Sequence, residues 1–213
     1  FAANLVTGDV INFIQILGSV LDLGVPSDST VSIAKLSATG TKNSTTFLRG
    51  DNTFNAPPLG GITEADQWRI NSSLSVSSGG TFTSNWERVD TDGFAKIGTG
   101  LTESSGVFSF PSTGIYNISY DFLAYANGGA RTYFGVEIQT TLDNSSYSSA
   151  AISYDSAYTN TAYGTMSGNF LFDVTDVSTH KFKVLYETPG AIIFESNTSR
   201  SNNNVTVIRL GDT

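Results

Sequence analysis

Between residues 62 and 213, short runs rich in β-branched and aromatic residues recur at hairpin spacing, and no other feature restricts the fold as much. The runs are Asp66 to Leu74, Thr81 to Val89, Gly106 to Phe110, Gly114 to Ala124, Thr132 to Thr140, Ser149 to Tyr154, Tyr163 to Val174, Lys181 to Tyr186, Ala191 to Glu195 and Val205 to Leu210. About ten strands in so short a stretch predict an all-β sandwich or jelly roll. Within one run, Tyr116, Ile118, Tyr120, Phe122 and Ala124 alternate with Ile115, Asn117, Ser119, Asp121 and Leu123. Phe108 and Phe110 likewise share one face. The aromatic face of the Tyr116–Phe122 run is too apolar to leave in water, so it is either sandwich core or the axis of a trimer.

Residues 1–60 read differently. Val10, Ile11, Phe13, Ile14, Ile16, Leu17, Val20, Leu21 and Leu23 cluster without a clean period. A helix from about Asp9 to Leu21 is one reading, weakened by Gly18, Gly24 and Pro26, and Val31 and Ile33 suggest a short strand. Such a segment has too few core residues to fold alone, which predicts an extended stalk or docking segment buried against copies of itself or a larger assembly. Asn55-Ala56-Pro57-Pro58-Leu59-Gly60-Gly61 then forms a stiff spacer followed by a swivel, placing the boundary of the head at 61–213.

Charge and chemistry narrow the function. The net charge is −8, and eleven Lys and Arg residues are scattered singly, so no basic stripe is available for nucleic acid. The longest apolar stretch, Val10 to Val25, is broken by Asn12, Gln15 and Asp22, so no membrane insertion is expected. With no cysteine and one histidine, His180, there is neither a thiolate site nor a G-x-S-x-G elbow, and His180 reads as a solvated loop residue. Asp90, Asp92 and Glu103 are the carboxylates that a glycosidase would draw on, and they read more simply as loop residues. The chain is therefore expected to be no enzyme and to need no cofactor. Arg49-Gly50-Asp51 reads as a turn, and the six N-x-S/T sequons follow from an Asn-, Ser- and Thr-rich composition. Tyr147, Tyr154, Tyr158 and Tyr163, set among Ser, Asn and Ala between Asn144 and Tyr163, have the composition of an adaptable binding surface and are the receptor-binding candidates.

Asn85-Trp86-Glu87-Arg88-Val89, followed by Gly106-Val107-Phe108-Ser109-Phe110-Pro111-Ser112-Thr113-Gly114-Ile115-Tyr116 and the closing Asn203-to-Gly211 run, resembles the globular C1q/TNF-like domain. Thr46-Phe47-Leu48-Arg49-Gly50-Asp51-Asn52-Thr53-Phe54 resembles the L-R-G-D-G-x-W element of phage tail fibres, with Asn52 in place of Gly and Phe54 in place of Trp. With the Ile62–Arg69 segment, the combination is similar to surface proteins of marine bacterial viruses. The resemblance implies a C1q/TNF-like jelly-roll head, a homotrimer, and a place on the virion surface outside the cell. It further implies a fibre or spike that binds a host glycan or protein, with residues 1–60 held by capsid or tail proteins. The alternative it leaves open is a capsid decoration or cement protein. Calcium occurs in apical loops of that fold, where Asp90, Asp92 and Asp143 are the oxygen donors to consider, although no D-x-D-x-D-G run is present.

Overall fold

A computed structural model describes residues 6–8, 10, 32, 35–57 and 61–213. The helix read over Asp9 to Leu21 and the strand read around Val31 and Ile33 fall outside these residues. The chain divides into two compact units, Phe1–Gly60 and Gly61–Thr213.

In the first unit three short strands make one small sheet. β1 (Thr39–Gly40) runs parallel to β3 (Thr53–Asn55), and β2 (Phe47–Leu48) runs antiparallel to it. Arg49-Gly50-Asp51 is the tip of the β2–β3 hairpin: Arg49 N–H donates to the Thr53 carbonyl at 2.8 Å, and Asn52 N–H to the Arg49 carbonyl at 3.0 Å. Asp51 turns back to accept from the Thr53 hydroxyl at 2.6 Å. Asn52 sits at φ 60°, a left-handed conformation that Gly or Asn adopts at least cost, which accounts for the residue pair interchangeable at this point of the fibre-like element.

The second unit holds β4 (Ala65–Ile70), β5 (Ser72–Val76), β6 (Gly80–Thr81), β7 (Trp86–Arg88), β8 (Thr102–Ser104), β9 (Val107–Ser109) and β10 (Gly114–Ala126). It continues with β11 (Arg131–Thr141), β12 (Ser148–Ala157), β13 (Tyr163–Val174), β14 (Lys181–Glu187), β15 (Ile192–Asn197) and β16 (Asn204–Gly211). One sheet has seven strands in the order β5-β15-β10-β16-β4-β7, with β13 on the other edge of β10; the facing sheet has six in the order β12-β11-β14-β9-β8, with β6 beside β14.

The core lies between the two sheets. From β10 come Tyr116, Ile118, Tyr120 and Phe122, which meet Phe134, Val136 and Ile138 of β11 and Phe182 and Val184 of β14. The inward aromatic face is thus sandwich core within a single chain, and a trimer axis has no claim on it. Phe82, between β6 and β7, plugs this core, with its ring 4.9 to 6.1 Å from those of Phe122, Phe194, Tyr186 and Trp86. Ser105 and Gly106 both have positive φ in the two-residue turn joining β8 to β9. A Cβ on Gly106 would lie 2.3 Å from the Phe82 carbonyl oxygen, so glycine is needed there for closeness as well as for φ.

Four readings change. The run Thr81 to Val89 divides between the two sheets, ending β6 at Thr81 and resuming as β7 at Trp86. The run Asp66 to Leu74 breaks at Asn71 into two strands on opposite sides of the sheet, and β8 (Thr-Glu-Ser) is an addition that its polar residues did not announce. His180 is buried rather than solvated: its ring stacks on Phe172 at 5.7 Å, and its two nitrogens lie 3.1 and 3.2 Å from the hydroxyls of Thr179 and Thr175. The segment 144–163 is mostly strand β12, so its tyrosines are spread along the sandwich rather than gathered in one loop.

Along the β4–β7 edge the polar residues are held by charge. Arg69, 1% exposed, donates to Glu87 at 2.6 Å, to Asp90 at 2.8 Å and to the Thr91 hydroxyl at 2.9 Å. Buried Asp66 accepts from the Arg88 guanidinium at 3.0 and 3.1 Å, from the Trp68 indole at 3.0 Å and from the Leu101 amide at 2.9 Å. Arg88 also lies over the Trp68 ring, 4.7 Å from its centre. Burial pulls the Glu87 carboxyl upward, but hydrogen bonds from Arg69, Thr198 and Asn71 outweigh it and the net shift is downward.

Candidate functional site

Strand direction sorts the tyrosines. β10 ends at Ala126, β11 begins at Arg131, β12 ends at Ala157, β13 begins at Tyr163, β14 ends at Glu187 and β15 begins at Ile192. Antiparallel pairing therefore brings the turns 127–130, 158–162 and 188–191 to one end of the sandwich. Six of the nine tyrosines stand at this end: Tyr186 packs into the core, and the other five are Tyr125, Tyr133, Tyr154, Tyr158 and Tyr163. Tyr147 does not. It precedes β12 at the opposite end, seven residues and roughly 23 Å of strand from Tyr154, with the Lys183 ammonium 4.3 Å from its ring centre.

The three turns are tied to one another through the main chain. Arg131 donates to the carbonyls of Ala191 at 2.9 Å, Ala130 at 2.8 Å, Gly129 at 3.2 Å and Asn127 at 2.6 Å. Gly128 N–H donates to the Asn160 side chain at 2.7 Å, and Thr161 N–H to the Ala126 carbonyl at 2.9 Å.

On the outer face of the six-stranded sheet, Tyr154, Gly135 and Glu187 form one cross-strand row. A Cβ on Gly135 would lie 2.5 Å from Cδ1 of Tyr154, so the ring rests on glycine backbone and spans the strand beneath it. Its hydroxyl then reaches the Glu187 carboxylate at 2.7 Å, and Tyr133 stands against it at 84° with ring centres 5.8 Å apart. The three side chains line an open recess of about 460 Å³. The hydrogen bond to Glu187, with burial and the Glu187 charge behind it, pushes the Tyr154 phenol up to about 12.

The seven-stranded sheet carries a counterpart on its own outer face. Tyr163 pairs directly with Tyr125, ring centres 5.1 Å apart, and its hydroxyl donates to Glu195, which raises its phenol too. Here a tyrosine occupies the middle strand where the other row has glycine. Tyr158, 89% exposed, projects from the turn between β12 and β13.

The remaining candidates disperse. Asp90 is taken by Arg69, exposed Asp92 sits two residues on, and Asp143 caps its own loop by accepting from Ser145 and Ser146 amides and the Thr141 hydroxyl. Those bonds hold the Asp143 carboxyl far below the usual range. Among the described residues no three His, Cys, Asp or Glu side chains converge as a metal site. Glu103 accepts from the Gly106 amide at 2.6 Å and braces the β8–β9 turn. A second recess, of about 310 Å³, lies beside Arg69 and Arg200, but the Arg69 guanidinium is engaged by its three partners. Tyr125, Tyr133, Glu187 and Glu195 were not singled out from the sequence. What assembles them is long-range register, which no local pattern encodes.

Two sheets in this order, strands joined across from one to the other, and a core of inward aromatics define a TNF-like jelly roll. Solved structures bear out that class. Murine APRIL overlays with a TM-score of 0.50 at 14% identity, covering 69% of this chain and 98% of that one. Eiger TNF from S. frugiperda overlays with a TM-score of 0.56 at 12% identity, covering 72% and 96%. The PRD1 vertex protein P5 also aligns, at 21% identity over 71% of this chain and 100% of that one, but its TM-score of 0.42 is too low to speak for fold or role. No family model and no curated protein matches the chain. Among the described residues no helix is long and apolar enough to cross a membrane.

Proposed function

We propose that this chain is a homotrimeric virion surface protein, a phage fibre or spike, whose head binds a host-cell receptor through its tyrosine-bearing end. The observation that carries this is polarity within the head. Ala65, at the start of β4, pairs with Ile208, whose other neighbour is Asn117, so the chain comes into the sandwich eight residues of β10 away from Tyr125. That is roughly 26 Å of strand. A module fed from one end and bearing exposed, rigid, amphipathic side chains at the other is built for display. The fibre-like hairpin at Thr46–Phe54 supports the virion reading. The outer face of β10, β13 and β16, with Ile115, Leu171 and Ile208 among Ser, Thr and Asn and with Asp121 and Asp173 as its charges, supports self-association around a three-fold axis. On this reading the chemistry is recognition without turnover; of the three carboxylates considered for hydrolysis, Asp90 and Glu103 serve as structural acceptors and Asp92 is exposed.

Purified full-length protein should sediment as a trimer at micromolar concentration and compete with virions for adsorption to host cells. A monomer, or trimer that leaves adsorption untouched, refutes the respective half of the reading. One observation favours the decoration alternative. Phe47 and Leu48 are 63% and 49% exposed on the small N-terminal sheet, an apolar surface suited to lying on capsid subunits. Labelling of capsid faces rather than a tail or vertex, seen by electron microscopy of particles, would select that reading.

A further inference from the structure

We propose that the corner formed by Tyr133, Tyr154 and Glu187 is a subsite for an uncharged pyranose, an inference that rests on the receptor-binding reading and names the chemistry its ligand must have. The site is defined by what its parts leave free. Tyr154 has one ring face on the Gly135 backbone, where the missing Cβ makes room, and is still 51% exposed through the other. Tyr133, 42% exposed, rises beside it at 84° as a wall. A flat aromatic face with a perpendicular wall suits a ligand that is itself flat, apolar on one side and polar around its rim. A pyranose has that form: its axial C–H groups carry slight positive charge and lie against the electron-rich ring face, while its hydroxyls point outward.

The polar rim also has partners. The Tyr154 hydroxyl spends its proton on Glu187, so its lone pairs face outward as acceptors, and Glu187 Oε1 remains for a ligand hydroxyl. Two neighbouring sugar hydroxyls can therefore both donate. The charge of the corner sets the class: Glu187 lines it, Glu137 occupies the next position along β11, and no Lys or Arg is in the lining, so a carboxylated sugar or a phosphate would be repelled. The same charge and the open Tyr154 face would attract a cation, so the preference for a neutral pyranose rests on the flat face, the wall and the paired acceptors, and an ammonium is the comparator that tests it. The recess, about 460 Å³, has the size of a small-ligand site yet is open along its length, as binding one residue of a longer chain requires. The corresponding place on the other sheet is filled by Tyr125, which singles out the Gly135 row.

The test uses full-length protein and saturation-transfer NMR with the methyl glycosides of glucose, galactose and mannose, with glucuronate and tetramethylammonium as charged comparators. At least one neutral glycoside should bind at tens of millimolar. Tyr154→Ala should weaken that binding by about ten-fold. Gly135→Ala, which removes no ligand contact but displaces the Tyr154 ring, should weaken it as well, whereas Tyr147→Ala should leave it unchanged. Binding of no neutral glycoside, binding of a charged comparator alone, or binding insensitive to Tyr154→Ala and Gly135→Ala overturns the proposal. Adsorption of labelled protein to host cells separates the two readings. Adsorption that survives Tyr154→Ala removes the subsite and keeps the receptor role. Glycoside binding through Tyr154 with no adsorption to any cell keeps the subsite and removes that role.

Discussion

The β4–β7 edge and the tyrosine end both use polar side chains on a β scaffold, yet they are built on opposite economies of water. At the edge, Arg69 and Asp66 are buried and each is met by charged partners, Glu87 and Asp90 for the one and Arg88 for the other. At the end, the phenols of Tyr154 and Tyr163 donate to Glu187 and Glu195 in the open, where water or a ligand hydroxyl can replace either partner. A buried pair is destructive to break because the survivor is stranded, whereas an exposed pair exchanges at little cost. The edge is frame, and the end is where polar groups stay open to exchange.

The most damaging change should be Arg69→Ala, which takes the charged partner from Glu87, leaving it Asn71 and Thr198, and opens a hole in the edge; denaturant unfolding should show a loss of about 3 kcal/mol. The same variant tests a pH effect. Because the Glu87 carboxyl is held below its ordinary 4.5 in the folded protein, its contribution is fully present above that value and is lost as pH falls through the lowered one. Arg69→Ala should therefore flatten the acid limb of the stability profile, and an unchanged limb would show that the pair is not its source. Next comes Asp66→Asn, which removes the charge facing Arg88 and should cost about 2 kcal/mol.

At the tyrosine end the effects shrink. Gly135→Ala pushes a Cβ against Cδ1 and Cε1 of the Tyr154 ring and to 3.0 Å from the Ser153 carbonyl oxygen, so the half-exposed ring must swing aside, and the change should cost about 1 to 2 kcal/mol. Glu187→Gln should change stability by no more than about 0.5 kcal/mol. It should, however, bring one tyrosine ionisation down from about 12 towards the ordinary 10, visible in an ultraviolet difference titration. The sign follows from the raised value: the Tyr154–Glu187 bond is intact below the ordinary phenol range and is lost as pH rises through about 12. A stability loss at Glu187→Gln as large as at Asp66→Asn would erase the distinction between the two regions.

Much of the frame was legible from residue order. The run Tyr163 to Val174 is strand β13 over those same residues, and the alternation from Ile115 to Ala124 matches the inward and outward faces of β10. These strands have one face in the core and one outside, so burial writes a period of two into the sequence. β8 carried no such signature because Thr102, Glu103 and Ser104 bury nothing apolar; it is a strand only because β9 folds back against it. His180 misled for a similar reason, since its cover comes from Phe172 on a neighbouring strand. Of the tyrosines read as receptor candidates, the structure brings Tyr154, Tyr158 and Tyr163 to one end, with Tyr154 and Tyr163 on different sheets, and leaves Tyr147 at the far end, because β12 carries the chain from one end to the other and composition does not record that path.

The Arg131 clamp bears on how such a surface changes over time. Its guanidinium binds only carbonyl oxygens, of Asn127, Gly129, Ala130 and Ala191, and so is indifferent to which side chains those positions carry. The exceptions are Gly190, where a Cβ would come within 3.0 Å of the guanidinium, Gly128 and Gly129, at φ 88° and 129°, and Asn160, whose side chain accepts from the Gly128 amide. The remaining positions of these turns can therefore be rewritten while their anchorage persists, as lettering is reset in a fixed forme. On the receptor-binding reading proposed above, what this end recognises could change without the folding problem having to be solved again.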